Sequence, residues 1–423
     1  MLRFAPSPTA DMDIDSLRIA IFNYIVAKQR DEEFIVRIED TDKEKNIENK
    51  DKEILDLLAL FDIKYSQIIY QSENVRFHTA MALQLMHEKK AFSCFCSDDW
   101  IKNKQTEAKA ANKVYKYDDA CKDLPNELVI DNTNPFSIRI KRPEQDIIIK
   151  DYINGELCFK ADTIDSFMIM NQEKKPMYDF ACAVDDMLSD ISIIIRNKKY
   201  LQNTPKQDHI RNSLGYDKKI EYGHIASIQG DKIISVKQLL EDGFLPDAIL
   251  NYLVSIGNKV PSKIFTIAEA IKWFDLSSVS NDDAHFNLDE LRHLNKQYLN
   301  QLDDKELSRY VGFADEEIGR LAKVYLEDIS TTKELKTKIA AIFTSKEIPN
   351  EFSEISKNIA KATKKAPYFE EYEDFKTYII DDLNLDDAEF SDTFYYLLTG
   401  AKNGPDIAMV YKYLKNYIGE IIK

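Results

Sequence analysis

The order of apolar runs near the N-terminus limits this chain to few folds. Leu2 to Phe4 reads as a short buried strand, and Pro6 and Pro8 break it. Asp15 is placed to cap a helix over 16–29, whose residues Leu17, Ile21, Tyr24 and Ile25 fall near helical spacing. Phe34 to Ile38 reads as a second buried strand, followed by the acidic turn Glu39-Asp40-Thr41-Asp42. Another amphipathic helix starts near Glu48. Strand, helix, strand and helix in that order predict a parallel α/β sheet.

From about Ala91 to Asp185 the pattern is mixed, with short strands such as Phe136 to Ile140, which fits an inserted subdomain. Ile191 to Ile195 reads as a buried strand returning to the first sheet. Beyond about Gln238 the pattern is helical almost to the end. The predicted layout is α/β followed by all-α. A Rossmann-type domain covers 1–90 and 186–240, with the inserted subdomain over 91–185. Two helical regions, over 241–310 and 311–423, complete it.

Charge narrows the partners. The net charge of −16 speaks against indiscriminate nucleic-acid binding, which needs clustered Lys and Arg, but leaves room for RNA on a local basic face. No apolar run is long enough to span a bilayer, and no basic segment followed by an apolar stretch opens the chain. With only five cysteines, a reducing cytoplasm is the expected location and no membrane partner is expected. Glycine is scarce, at 11 residues, although loops that cradle phosphate normally use it.

Several motifs are more specific. Arg3-Phe4-Ala5-Pro6-Ser7-Pro8-Thr9, Arg37-Ile38-Glu39-Asp40-Thr41-Asp42, the run Tyr178 to Asp186, Asn203-Thr204-Pro205-Lys206-Gln207 and Gly243-Phe244-Leu245-Pro246 stand in order along the chain. Leu398-Thr399-Gly400, followed by Gly404-Pro405, stands near the end. Together they resemble the glutamyl-tRNA synthetases, a class I family, and in particular the bacterial subgroup that often charges the glutamine tRNA with glutamate. The resemblance implies a substrate pocket formed by Arg3, Ala5, Ser7, Glu39, Tyr178, Cys182 and Arg196. Arg3 would hold the side-chain carboxylate of the amino acid, a task that suits the two-pronged guanidinium. Glu39 would pair with the ammonium group. Ordinary ion pairs are the competing reading of Arg3 and Arg196.

The departures from the family are equally specific. Where the family has His-Ile-Gly and a small residue, this chain has Asp13-Ile14-Asp15-Ser16, and Ala10 follows Thr9 in place of glycine. The lysine-rich signature loop should lie between His224 and Ser235. The segment Ile225 to Ile234 contains only Lys232 and is too short for it, which points to a deletion. Arg196-Asn197-Lys198-Lys199-Tyr200 replaces Arg-Gly-Glu-Asp-His, and Asn171 replaces an arginine. Losing one oriented donor to a developing oxyanion costs about 2.7–4 kcal/mol. A carboxylate beside a phosphate adds repulsion of about 4 kcal/mol at an effective dielectric of 20. Discounted for non-additivity, the sum exceeds about 5 kcal/mol, or a thousandfold in rate.

These departures predict a pseudo-synthetase with little use of ATP and Mg²⁺. An active glutamate–tRNA ligase and a regulatory protein-interaction module are the alternatives, and the sequence names no protein partner. Asp13 and Asp15 read as helix caps; Mg²⁺ ligation is the sharper alternative. For the metal, the resemblance implies a structural zinc held by Cys94, Cys96, Tyr117 and Cys121, against three buried thiols in a small core. tRNA and a glutamate-like molecule are the implied partners. Tyr395 stands where related enzymes have arginine, which weakens the case for anticodon contact. Lys361, Lys364 and Lys365 offer a basic surface or merely solvated charges.

Overall fold

A computed structural model describes residues 1–230, 233–348 and 353–422. The chain forms two compact units. One comprises 1–236 and 253–286; the other comprises 237–252 and 287–423. The expected boundary between 310 and 311 falls inside the second unit.

In the first unit, Leu2–Phe4, Phe34–Ile38 and Gln67–Tyr70 pair in parallel, with Arg3 opposite Ile35. The helix Ile14–Gln29 connects the first two of these strands, and Lys50–Leu60 lies between the second and third. Leu17, Ile21 and Ile25 are fully buried, as their spacing predicts. The third apolar run differs from expectation. It forms the strand Ile193–Asn197, which pairs in parallel with Glu221–Ile225 in a separate four-stranded sheet. Its link to the first sheet is a hydrogen bond from the Ser192 N–H to the Met1 carbonyl at 3.0 Å.

The inserted stretch divides between two sheets. Ala91–Cys94, Ser137–Ile140 and Met168–Met170 form an antiparallel sheet. The hairpin Ile147–Asp151 and Gly155–Phe159 instead joins the four-stranded sheet, where Asp151 stands beside Tyr222. Part of the insert is therefore continuous with the sheet that carries Ile193–Asn197.

The second unit consists of helices among its described residues. Its core includes Leu299, Leu307, Leu321, Leu335, Ile339, Phe390, Phe394 and Leu398. Gly243 has φ +88°, and a Cβ there would lie 2.4 Å from the Lys333 backbone nitrogen, so only glycine fits. Lys361, Lys364 and Lys365 are exposed. The buried Tyr395 hydroxyl has no hydrogen-bond partner among the described residues and lies under Gly404.

Candidate amino-acid and phosphate site

The strands Leu2–Phe4, Phe34–Ile38 and Ile193–Asn197 end at one cavity of about 300 Å³, together with the start of the helix Ile14–Gln29. Ligands in open parallel sheets bind at the carboxyl ends of strands, and this cavity follows that rule. Its wall contains Arg3, Ala5, Ser7, Asp13, Asp15, Ser16, Glu39, Tyr178, Cys182 and Arg196. All the predicted substrate residues and signature positions meet here except Lys232, which lies outside the described residues. Asn171 is not part of the wall.

One end of the cavity is built around buried charge. The helix Tyr178–Leu188 brings Tyr178 and Cys182 to the wall and holds Asp186 beneath it. Asp186 accepts from Arg3 Nε at 3.1 Å and Arg37 Nη1 at 2.6 Å. Burial opposes its ionisation, but these guanidinium groups outweigh burial and hold the carboxyl well below its usual range. Glu39 accepts from Arg37 at 3.1 Å and from the Cys182 thiol at 3.2 Å through the same oxygen, Oε1. Arg196 is 7% exposed and has no acidic partner among the described residues. It donates to Thr204 Oγ1 at 2.7 Å, Gln207 Oε1 at 2.8 Å and His224 Nε2 at 3.2 Å. Burial, and then the charge of Arg3, lower its pKa. Its hydrogen-bond partners are all neutral, so no side chain it bonds to offsets its charge.

The other end is closed by the chain itself. Asp13, not Asp15, is the N-cap; its carboxylate accepts from the Ser16 N–H at 2.7 Å. Asp15 lies in the first turn and accepts from the Ile228 N–H at 2.9 Å. Burial raises the Asp15 pKa, and nearby Asp13 adds to the rise. The Ile14 N–H donates to Ile234 O at 3.1 Å and the Val236 N–H to Met12 O at 3.0 Å. Ile228–Gln229 pairs with Ala284–His285, and Asn197 Nδ2 donates to Ser227 Oγ at 2.9 Å. Arg18, lowered to about 10 by burial, donates to the carbonyls of Ala226 and Ile256. Two positions where the resemblance expects glycine, Asp15 and Asn197, thus bond to Ile228 and Ser227. Asp13 and Asp15 fall in no group of side chains arranged for a metal among the described residues.

The inserted subdomain contains one such group, Cys94, Cys96 and Cys121, whose sulfurs lie within 4.8 Å of one another. Cys96 and Cys121 Sγ are 3.6 Å apart, and the Tyr117 hydroxyl lies 3.4 Å from Cys94 Sγ and 3.5 Å from Cys96 Sγ. Four ligands on a tetrahedron with Zn–S of about 2.3 Å and Zn–O of about 2.0 Å would stand roughly 3.8 Å (S to S) and 3.5 Å (S to O) apart. The donor set therefore fits zinc. Arg139 donates to Cys94 Sγ at 3.3 Å and lies 3.8 Å over the Tyr117 ring. Burial pushes the Cys96 thiol up to about 12.

Sequence reasoning gave no role to His224 or Asp151. Thr204 and Gln207 lay within a recognised motif without an assigned function, and that motif was the only signal for them.

A parallel α/β domain whose strands end at a cavity lined by a buried arginine has the layout in which this fold class binds small ligands. Residues 1–293 match the family model for the catalytic domain of class I tRNA synthetases (E and Q). The chain is 60% identical to glutamate–tRNA ligase 2 of Sulfurimonas denitrificans and 45% identical to glutamate–tRNA ligase 1 of Campylobacter jejuni serotype O:2, in each case over 100% of both chains. A solved glutamate tRNA ligase from Elizabethkingia meningosepticum superposes with a TM-score of 0.82 at 21% identity, covering 99% of this chain and 97% of that one. This chain belongs to the class I tRNA synthetases of the E and Q group. The two alignments run over 432 positions against 423 residues here, so at least nine positions have no residue of this chain.

Proposed function

We propose that this chain is a glutamate–tRNA ligase. It would join glutamate to ATP as glutamyl-adenylate with release of pyrophosphate, then pass the glutamyl group to the 3′ end of a tRNA. The carrying observation is the complete amino-acid end of the cavity, in a chain matched end to end by relatives bearing that name. Arg3 and Arg196 supply the positive charge for the side-chain carboxylate, and Glu39 supplies the negative charge for the ammonium group. The protein contributes positioning and electrostatic stabilisation rather than covalent chemistry. Cys94, Cys96, Cys121 and Tyr117 would hold a structural zinc in the inserted subdomain.

A second reading has one observation in its favour. At the phosphate end, Asp13 fills the helix N-terminus and Asp15 secures the shortened connection. This favours a family member with greatly reduced glutamate activation. The named relatives support the first reading better.

Pyrophosphate exchange with glutamate and ATP, with and without bacterial glutamate and glutamine tRNAs, separates the two. Exchange that vanishes in Arg3→Ala supports the ligase. A folded protein without exchange under any of these conditions supports the second reading.

A further inference from the structure

Arg196 faces the cavity, but the side chains that hold it lie behind the wall. Three of its N–H groups are used, one on each nitrogen, by Thr204, Gln207 and His224. Each terminal nitrogen therefore keeps one N–H for a ligand, the arrangement that a carboxylate accepts with two parallel bonds.

An arginine only donates, so the bond from Arg196 Nε requires a lone pair on His224 Nε2. The His224 proton must then sit on Nδ1, which faces Asp151 Oδ2 at 2.6 Å. His224 and Asp151 are almost fully buried. Asp151 also accepts from the backbone N–H groups of Ile153, Asn154 and His224 and from Asn154 Nδ2. Burial alone would raise its pKa; His224 and Asn154 reverse that and hold it below the ordinary value. Asp151 thus stays ionised and acts only as an acceptor.

We infer that Asp151 and His224 are positioning residues that fix the Arg196 guanidinium for recognition of the ligand's side-chain carboxylate. Asp151 selects the Nδ1–H tautomer, and His224 then presents the acceptor that orients Arg196. Neither residue lines the cavity. The inference rests on the reading of the cavity as a glutamate site.

The test uses the full chain and two measurements. Histidine ring ¹⁵N spectra at pH 7.5 read the tautomer without any ligand. The wild type should show His224 as the neutral Nδ1–H form, and Asp151→Asn should lose that preference. An Nε2–H or doubly protonated ring in the wild type overturns the inference. Calorimetric titration with L-glutamate and L-glutamine reads the consequence. Asp151→Asn should weaken glutamate binding on the order of tenfold, with glutamine changed less than twofold, and His224→Gln, which keeps an acceptor, should bind glutamate better than His224→Leu. Equal losses for both amino acids, or unchanged glutamate binding, overturn it. A wild type with the Nδ1–H tautomer but no glutamate binding overturns the glutamate reading and leaves the tautomer relay standing.

Discussion

The two ends of the cavity have diverged in different ways. At the amino-acid end, Arg3, Glu39, Tyr178, Cys182 and Arg196 meet as the family resemblance implies, supported from beneath by Asp186 and Arg37. At the phosphate end, the expected histidine, glycine and lysines are absent, and the chain's own carboxylates and peptide groups occupy the helix start. The contrast shows that the two halves depend on separate sets of bonds. Buried ion pairs hold the first, because removing any partner leaves an uncompensated charge. Hydrogen bonds to the peptide groups of Ile228, Ile234 and Val236 hold the second.

The largest expected effect comes from rebuilding the phosphate end. Asp13→His and Asp15→Gly, combined with a lysine-rich loop inserted between Ile225 and Ser235, should raise tRNA-dependent pyrophosphate exchange by about 10²–10³-fold. No gain in a folded variant would mean that the amino-acid end has lost function as well. Arg3→Ala attacks the other end. It should reduce glutamate-dependent exchange by about 10²-fold and lower thermal stability, since Asp186 loses one of its two cations. A milder effect is expected far from this contrast, at the thiol cluster. The wild type should bind one equivalent of zinc by elemental analysis. Cys96→Ser should weaken retention against a chelator by at least about tenfold.

The smallest effect is electrostatic. Asp15 has a raised pKa in the folded protein, so its contribution to stability is complete at low pH and fades as pH rises through that value. Asp15→Asn keeps an oxygen for the Ile228 N–H and removes the charge. The melting temperature at pH 7 should rise by about 1–2 °C, and the difference from wild type should vanish near pH 4. A fall at pH 7 would mean that the charge itself secures the connection.

Much of this was legible in the sequence. The parallel strands, the first helix and the substrate residues follow from local apolar spacing and motif order. The sequence offers both Asp13 and Asp15 as caps because they suit the role equally by chemistry. The choice depends on the Ile228 N–H, which arrives from 213 residues away. Asp151 and His224 carry no local mark either; their meaning arises from a contact spanning 73 residues. The strand over 193–197 was expected in the first sheet because apolar spacing shows that a strand is buried but not which strand lies beside it. The division of the helical half is hidden for a similar reason, since 253–286 folds with the first unit.

The strand Ile147–Asp151 meets one side of the strand Glu221–Ile225 at Tyr222, and Ile193–Asn197 pairs along the whole of its other side. Trimming the inserted segment to make a minimal domain would uncover that edge at the buried Tyr222. An open, apolar strand edge is a template for pairing with another chain. Solubility of a shortened protein is therefore decided at this seam, and a truncation that keeps the hairpin should remain dispersed where one that removes it aggregates.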